Sequence, residues 1–444
     1  MKPIKAGLLG IGTVGAGTFH VLQRNQEEIR RRAGRGIEVT MVAARNLERA
    51  RKVIADSGLG AEVEVVADPF AVVNNPDIDI VVELIGGYEL ARELVLKAIA
   101  NGKHVVTANK ALLALHGNEI FAAAQEKGVM VAFEAAVAGG VPIIKALREG
   151  LSANRIESVA GIINGTTNFI LSEMRDKGLD FPTVLKQAQE LGYAEADPTF
   201  DIEGVDAAHK LTIMAAIAFG IPMQFASAHI EGISQLQAVD IRYAEQLGYR
   251  IKLLGITRRT MVDGSEGIEL RVHPTLIPQA RLIANVEGAM NAVLVQADAV
   301  GATLYYGKGA GAEPTASAVI ADLVDVTRSA TVDPYSRVPH LAFQPSELAD
   351  LPILPMAEIR TSYYLRVTVK DQLGVMADLT RILAEAGISI DAVLQKEPGE
   401  KALTDIIIIT HQTREKYVNA AIDRIEQLSA VMGKVVRIRL EGLS

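Results

Sequence analysis

The sequence predicts an α/β protein in three parts: a Rossmann nucleotide-binding domain, an α+β catalytic domain inserted into it, and a small ferredoxin-like domain at the C-terminal end. Three observations carry this reading. A glycine-rich turn follows a short apolar strand at the very start of the chain. A second glycine-rich turn, Tyr305-Tyr-Gly307-Lys-Gly309-Ala-Gly311, opens an amphipathic helix over Ala316 to Thr327 that can return to the first domain. The segment 361–444 reads as strand, helix, strand, strand, helix, strand.

Composition sets the bounds. With 444 residues the chain has room for two or three domains, and at 49% hydrophobic it has ample core material. The lack of cysteine excludes a disulfide framework, a thiolate nucleophile and a zinc–cysteine site. A net charge of −8 and the absence of tryptophan argue against nucleic-acid binding. No run of about 18 uncharged apolar residues suggests a membrane span. The expectation is a cytoplasmic protein.

The first strand, Ile4 to Leu9, leads into Gly10-Ile-Gly12-Thr13-Val14-Gly15 and a helix to about Arg32. Strand before and helix after make this G-x-G-x-x-G a dinucleotide signature, with pyrophosphate favoured at the helix N-terminus. The next strand, Glu38 to Ala44, ends at Arg45 instead of an acid, which suits the 2′-phosphate of NADP over the ribose of NAD. Arg49 and Lys52 thicken that patch or simply start a solvated helix.

The buried strand with a glycine turn in Asp79-Ile-Val-Val-Glu83-Leu-Ile-Gly-Gly87, a helix from about Leu90 to Ala100 and the strand Lys103 to Thr107 come next. The last is closed by Ala108-Asn109-Lys110, so Lys110 falls where an open parallel sheet collects its ligands. The strand Val129 to Phe133 ends at Glu134 and a glycine-relieved turn. One carboxylate with converging carbonyls can hold a hard cation; an ordinary crossover fits the spacing as well.

From about Ile143 to Val300 the alternation loosens, with β-like pieces at Ser158 to Ile163, Ile268 to His273 and Ala292 to Ala297. Asn164-Gly-Thr-Thr-Asn168 at a helix start could bind a polar substrate or cap the helix. Within it, the stretch from Gly192 to Lys210 packs Glu195, Asp197, Asp201, Glu203 and Asp206 ahead of an apolar helix. With Asp201 as N-cap, Asp206 and Lys210 lie one turn apart on one face. A lysine so placed can be a tuned proton donor, or half of a solvated ion pair. Pro339, Pro345, Pro352 and Pro355 then suggest an extended linker. The last part follows as strand Tyr363 to Val369, turn Asp371 to Gly374, helix Met376 to Ala386 and strand Ser389 to Lys396. A Pro398-Gly399 turn, strand Leu403 to Thr410, helix Glu415 to Leu428 and strand Lys434 to Leu440 complete it. The expected division is 1–135 with about 305–335, 136–304, a linker 336–360, and 361–444.

Taken together, GLLGIGTVGAG, VVTANK, NGTTNFIL, LGYAEADPTFDIEGVDAAHKLTIMA and YYGKGAGAEPTASAV resemble the bacterial homoserine dehydrogenases over essentially the whole chain, and KDQLGVMADL with GISI resembles their C-terminal ACT domain. The resemblance implies reversible, NAD(P)-dependent interconversion of L-homoserine and L-aspartate 4-semialdehyde, on the route to threonine, methionine and isoleucine. It implies Lys210 as acid/base lysine, Lys110 as a second catalytic lysine near cofactor and substrate, and Glu195 and Asp206 as substrate ligands, with Gly192 in the substrate loop. Gly10, Gly12, Thr13, Val14, Gly15, Arg45 and Gly309 fall on cofactor contacts. Glu134 with the backbone of Val137, Gly139 and Val141 matches a site for Na⁺ or K⁺. A homodimer or homotetramer regulated by an amino acid, threonine, completes the expectation. A nucleotide-sensing regulator would explain the first turn and the tail, but not the spacing of Glu195, Asp206 and Lys210.

Overall fold

The structure is a computed structural model that describes residues 2–58, 63–395 and 403–443. It divides into two compact units: Met1–Gly165 with Asp206–Ala226 and Met290–Asp350, and Thr166–Val205 with Ser227–Ala289 and Leu351–Ser444. Among the described residues, no helix is long and apolar enough to cross a membrane.

The first unit is built on a parallel sheet. Short apolar runs such as IKAGLL and IVVE form strands that are almost wholly buried, as covered parallel sheets require. The strands are β1 (Ile4–Leu9), β2 (Ile37–Ala43), β3 (Glu64–Val66), β4 (Ile80–Glu83), β5 (His104–Thr107) and β6 (Val131–Ala132), in the spatial order β3-β2-β1-β4-β5-β6. Every neighbouring pair is parallel. The chain therefore winds outward from β1 to β3, crosses back and restarts at β4 on the other side of β1. Ligands of such sheets bind beyond the carboxyl ends of the strands at that reversal.

Four helices matter for the site: α1 (Thr13–Arg24), α2 (Lys110–Lys127), α3 (Val205–Phe219) and α4 (Ala312–Ser329). The helix expected to reach about Arg32 is two pieces. Asn25, at φ −108° and ψ 18°, leaves the helical region, and Gln26–Ala33 then runs to Gly34, which stops it in the left-handed conformation. After β6 the chain forms three antiparallel strands, Ile156–Ile162, Met290–Ala297 and Gly301–Lys308, and then returns as α4. Leu8, Phe19, Leu22, Ile80, Val319 and Leu323 share one core that joins β1, β4, α1 and α4. Gly17 makes this packing possible, because a Cβ there would meet the Ala312 carbonyl oxygen at 2.5 Å.

In the second unit the strands Tyr249–Val262 and Ser265–Pro278 form a long antiparallel hairpin. The last segment has the expected six elements, with Arg360–Lys370, Ile390–Gln395, Leu403–Thr410 and Val436–Leu440 as strands and Val375–Glu385 and Glu415–Ile425 as helices. Its sheet is antiparallel in the order Val436–Leu440, Arg360–Lys370, Leu403–Thr410, Ile390–Gln395. Leu365, Val367, Leu379, Leu383, Ile406, Ile408, Val418 and Ile425 fill the space between this sheet and its two helices. Lys396 and the Pro398-Gly399 turn lie outside the described residues.

The proline-rich stretch, expected as an extended linker, makes hydrogen bonds within each unit. His340 accepts the Val131 N–H at 3.1 Å in the first unit. In the second, Ile353 bridges Ile268 of the hairpin, with Ile268 N–H to Pro352 O at 2.9 Å and Leu354 N–H to Ile268 O at 2.8 Å. The terminal strand also pairs with the hairpin, Thr275 opposite Arg439 and Leu276 opposite Leu440, so one sheet continues through both. Two buried clusters hold that continuity. Arg366 meets Asp240 at 2.6 Å beside the Tyr364 hydroxyl. Arg271 and Arg439, almost wholly buried, sit among Glu269, Glu441, Glu231 and Glu415.

Candidate active site

α3 carries the sequence VDAAHKLTIMAAIAF and is buried from Leu211 through Phe219, as expected of a helix that is apolar all round. Its only acidic first-turn residue is Asp206, facing the positive end of the helix dipole. Asp201 is not the cap: it lies inside a separate short helix, Thr199–Ile202, and Gly204 in the left-handed conformation precedes α3. Glycine tolerates that backbone, which ends one helix and lets the next start at Val205, three residues later than Asp201 would have placed it.

Asp206 is 3% exposed and its carboxylate is satisfied from three sides. Lys210 Nζ donates to Oδ2 at 2.7 Å, Asn164 Nδ2 donates to the same oxygen at 2.8 Å, and Lys110 Nζ lies 3.0 Å from Oδ1. Burial opposes the charged form, but the two ammonium groups win and hold the carboxyl well below the usual carboxylate range. Lys210 Nζ also donates to the Ile163 carbonyl at 2.8 Å, so its position is fixed at two points. Its side chain is 12% exposed, whereas that of Lys110 is 35% exposed. Lys110 is the first residue of α2, capped by Asn109, whose Oδ1 accepts the Leu112 N–H at 3.0 Å. His209 packs on the Phe225 ring at 4.3 Å between centroids, and burial pushes its imidazole down to about 4, so it is neutral at pH 7. Sequence reading passed over His209 and Asn109, since a lone histidine on an apolar helix and an asparagine in a turn carry no spacing signal.

The glycine turn after β1 fits a dinucleotide. Gly10 has φ +94°, and a Cβ on Gly15 would collide with the Gly10 carbonyl oxygen. A Cβ on Gly12 would meet no atom within 4 Å, so the chain just ahead of α1 faces open space, with Thr13 exposed and Val14 packed on the core. No side chain caps α1, which leaves its first N–H groups available to an anion. Arg45 is exposed two residues past β2, and Asn46 caps the following helix through the Arg49 N–H at 2.9 Å. The second glycine turn lies against the 137–141 turn: Gly140 N–H donates to Lys308 O at 3.0 Å, and a Cβ on Gly139 would collide with the Gly309 carbonyl.

Glu134 fits a cation only in part. Its carboxylate is buried and accepts the Ile144 and Lys145 N–H groups at 2.9 and 2.8 Å. Burial and neighbouring Asp322 push it up to about 7. The side chain is thus committed to a helix start, and an alkali metal near Val137, Gly139 and Val141 would rest on backbone carbonyls. Among the described residues, no group of three or more His, Cys, Asp or Glu could hold a metal ion.

Lys110, Asp206 and Lys210 therefore come together within the first unit. Glu195 and Gly192 belong to the second, in the loop after the helix Phe181–Glu190. Glu195 is exposed there and its carbonyl accepts Gln189 Nε2 at 3.1 Å, while Gly192 has φ +76°.

Comparison with known proteins gives three family matches: homoserine dehydrogenase over residues 142–324, the homoserine dehydrogenase NAD-binding domain over 10–134, and the ACT domain over 363–430. A homoserine dehydrogenase of Pseudomonas aeruginosa is 64% identical, with all of both chains covered. One of Bacillus subtilis is 40% identical over 100% of this chain and 99% of its own. Among solved structures, a homoserine dehydrogenase from Thiobacillus denitrificans is 70% identical with a TM-score of 0.94, covering 100% of this chain and 99% of that one. A hyperthermophilic archaeal homoserine dehydrogenase in complex with NADPH is 26% identical with a TM-score of 0.61, covering 74% and 98%.

Asp206→Asn is expected to destabilise the protein at pH 7 by about 3–5 kcal/mol, because it leaves two ammonium groups facing a neutral amide. The sign follows from the depressed carboxyl: its stabilisation is present above the unfolded pKa near about 4 and fades as pH falls below it. Urea denaturation of both proteins from pH 7 to pH 3 reads this. A stability gap that fails to narrow in acid would detach it from the Asp206 charge.

Proposed function

The chain belongs to the homoserine dehydrogenase family, an oxidoreductase acting on a CH–OH group, and from that premise we propose which residues carry the reaction. The observation that supports the assignment is the Asp206 carboxylate held between Lys110 and Lys210. A nicotinamide cofactor held by the glycine turn after β1 would supply or accept the hydride. What remains for the protein is a proton at the substrate oxygen, and Lys210 is its donor in reduction and acceptor in oxidation. Asp206 balances the lysine charge, so that proton transfer does not leave an isolated buried ion. Lys110, the more exposed of the pair, orients the substrate oxygen and contacts the cofactor side. Glu195 offers a carboxylate for the substrate ammonium, and Gly192 gives its loop the turn it needs. Homoserine and aspartate 4-semialdehyde are the substrate pair, at a step leading toward threonine, methionine and isoleucine.

Lys210→Ala is expected to lower homoserine-dependent NADP⁺ reduction by at least about a hundredfold in kcat, the usual reach of one acid/base group, with a smaller change in KM. Near-normal turnover in a folded variant would remove Lys210 from the mechanism.

For the cofactor, the reading is NADP over NAD, with Arg45 at the 2′-phosphate. Its support is the position of Arg45 just beyond β2, on the exposed side, with no acid at the strand end to take a ribose hydroxyl. Arg45→Asp should lower kcat/KM for NADP far more than for NAD, and equal losses would place the residue elsewhere.

The ACT domain is read as the seat of an amino-acid effector, threonine. Gly374, at φ +88°, starts the helix Val375–Glu385 without a side-chain cap, which leaves N–H groups for a ligand carboxylate. Threonine titrated against the intact enzyme should lower the rate, provided it prefers one of two conformations. An unchanged rate at saturating threonine would defeat the idea.

A further inference from the structure

Glu83 ends β4 and is fully buried, in register with Thr107 of β5 on one side and Leu9 of β1 on the other. It stands at the reversal of the sheet, yet it has no part in the reaction as assigned above. Its two oxygens take different donors. Oε1 accepts the Ile85 N–H at 3.0 Å, and Oε2 accepts the Thr107 hydroxyl at 2.6 Å. With its only proton given to Glu83, the Thr107 oxygen is an acceptor for the Asn109 N–H at 3.0 Å. Asn109 in turn donates through Nδ2 to Gly87 O at 2.6 Å and caps α2 through Oδ1. The next residue is Lys110, whose Nζ meets Asp206.

We propose that Glu83 is a positioning residue: through Thr107 and Asn109 it ties together the loops after β4 and β5 and so sets Lys110 against Asp206. The argument turns on hydrogen-bond polarity. Burial pushes the Glu83 carboxyl up, while the donors Thr107 and Ile85 favour its charged form. As a carboxylate it only accepts, so it satisfies both and fixes which way the hydroxyl points. A glutamine cannot do both. With its NH₂ toward Ile85 two donors face each other; with it toward Thr107 the hydroxyl must accept twice, and its own proton loses its place. Either arrangement leaves a buried donor unmet or shifts the loop. A shift of the loop displaces the start of α2, from which Lys110 reaches Asp206 at 3.0 Å.

The inference rests on the proposed role of Lys110, and the experiment separates the two. Glu83→Gln, Lys110→Ala and the double variant are assayed for homoserine kcat/KM. Glu83→Gln alone is expected to lose about tenfold, and to add less than about twofold when Lys110 is already alanine, the signature of residues acting through one another. Thr107→Val should behave like Glu83→Gln, and covers the case in which the latter fails to fold. Thr107→Ser, which keeps the hydroxyl, should lose less than Thr107→Val. Equal losses in both backgrounds would overturn the proposal, since a merely structural carboxylate weakens every variant alike. An impaired Lys110→Ala beside a fully active Glu83→Gln would sink this inference alone. A fully active Lys110→Ala would instead sink the reading beneath it.

Discussion

A carboxylate removed from water must be paired or hydrogen-bonded, and of the buried carboxylates in the first unit Asp206 is held by two ammonium groups and an amide. Its partners come from three separate stretches: Lys110 from the start of α2, Asn164 from just beyond the strand Ile156–Ile162, and Lys210 from the next turn of α3. Satisfying one charge thus pins two helix starts and a strand end to a common point. The same pairing keeps two ammonium groups close together near neutral pH, which neither would tolerate alone. Structural and chemical demands meet in the same three bonds.

Around that point, glycine lets backbones approach where side chains would keep them apart. Gly15 lies over Gly10, Gly17 over Ala312 and Gly139 over Gly309, and in each case a single Cβ would push backbone apart. The two glycine-rich turns are therefore packing devices as well as ligand cradles. Helix α4 can close against α1 only because Gly17 has no side chain, and that closure brings the second turn back to the first domain's core.

The second unit answers a different problem, how a C-terminal domain is joined to what precedes it. A hinge would need few buried contacts across the junction. Here the terminal strand pairs with the hairpin on one edge and with Arg360–Lys370 on the other. Buried Arg271 and Arg439 find carboxylates on both sides of that junction, which is costly to break because each partner would be left charged and dry. Motion of this domain must carry the hairpin with it or undo those pairs.

Sequence alone determined what depends on local chemistry and short-range period. Five of the six parallel strands were legible from short apolar runs, though the three-residue Glu64–Val66 at the sheet edge was not. The dinucleotide turn was legible from glycines between strand and helix, and the ferredoxin-like tail from its alternation of periods. Asp206 and Lys210 were legible as a pair because a helix places i and i+4 together whatever surrounds it. Tertiary structure decided what depends on which distant segments meet. Only the fold brings Asn164 and Lys110 to the same carboxylate, and only the fold commits the Glu134 side chain to the Ile144 and Lys145 amides. The prolines after residue 339 argued for an extended linker, and only the fold supplies the partner, Ile268, to which residues 352–354 are hydrogen-bonded. Glu83 was invisible for the same reason. At the end of a buried strand it reads as one more residue, and its role comes from a hydroxyl 24 positions away.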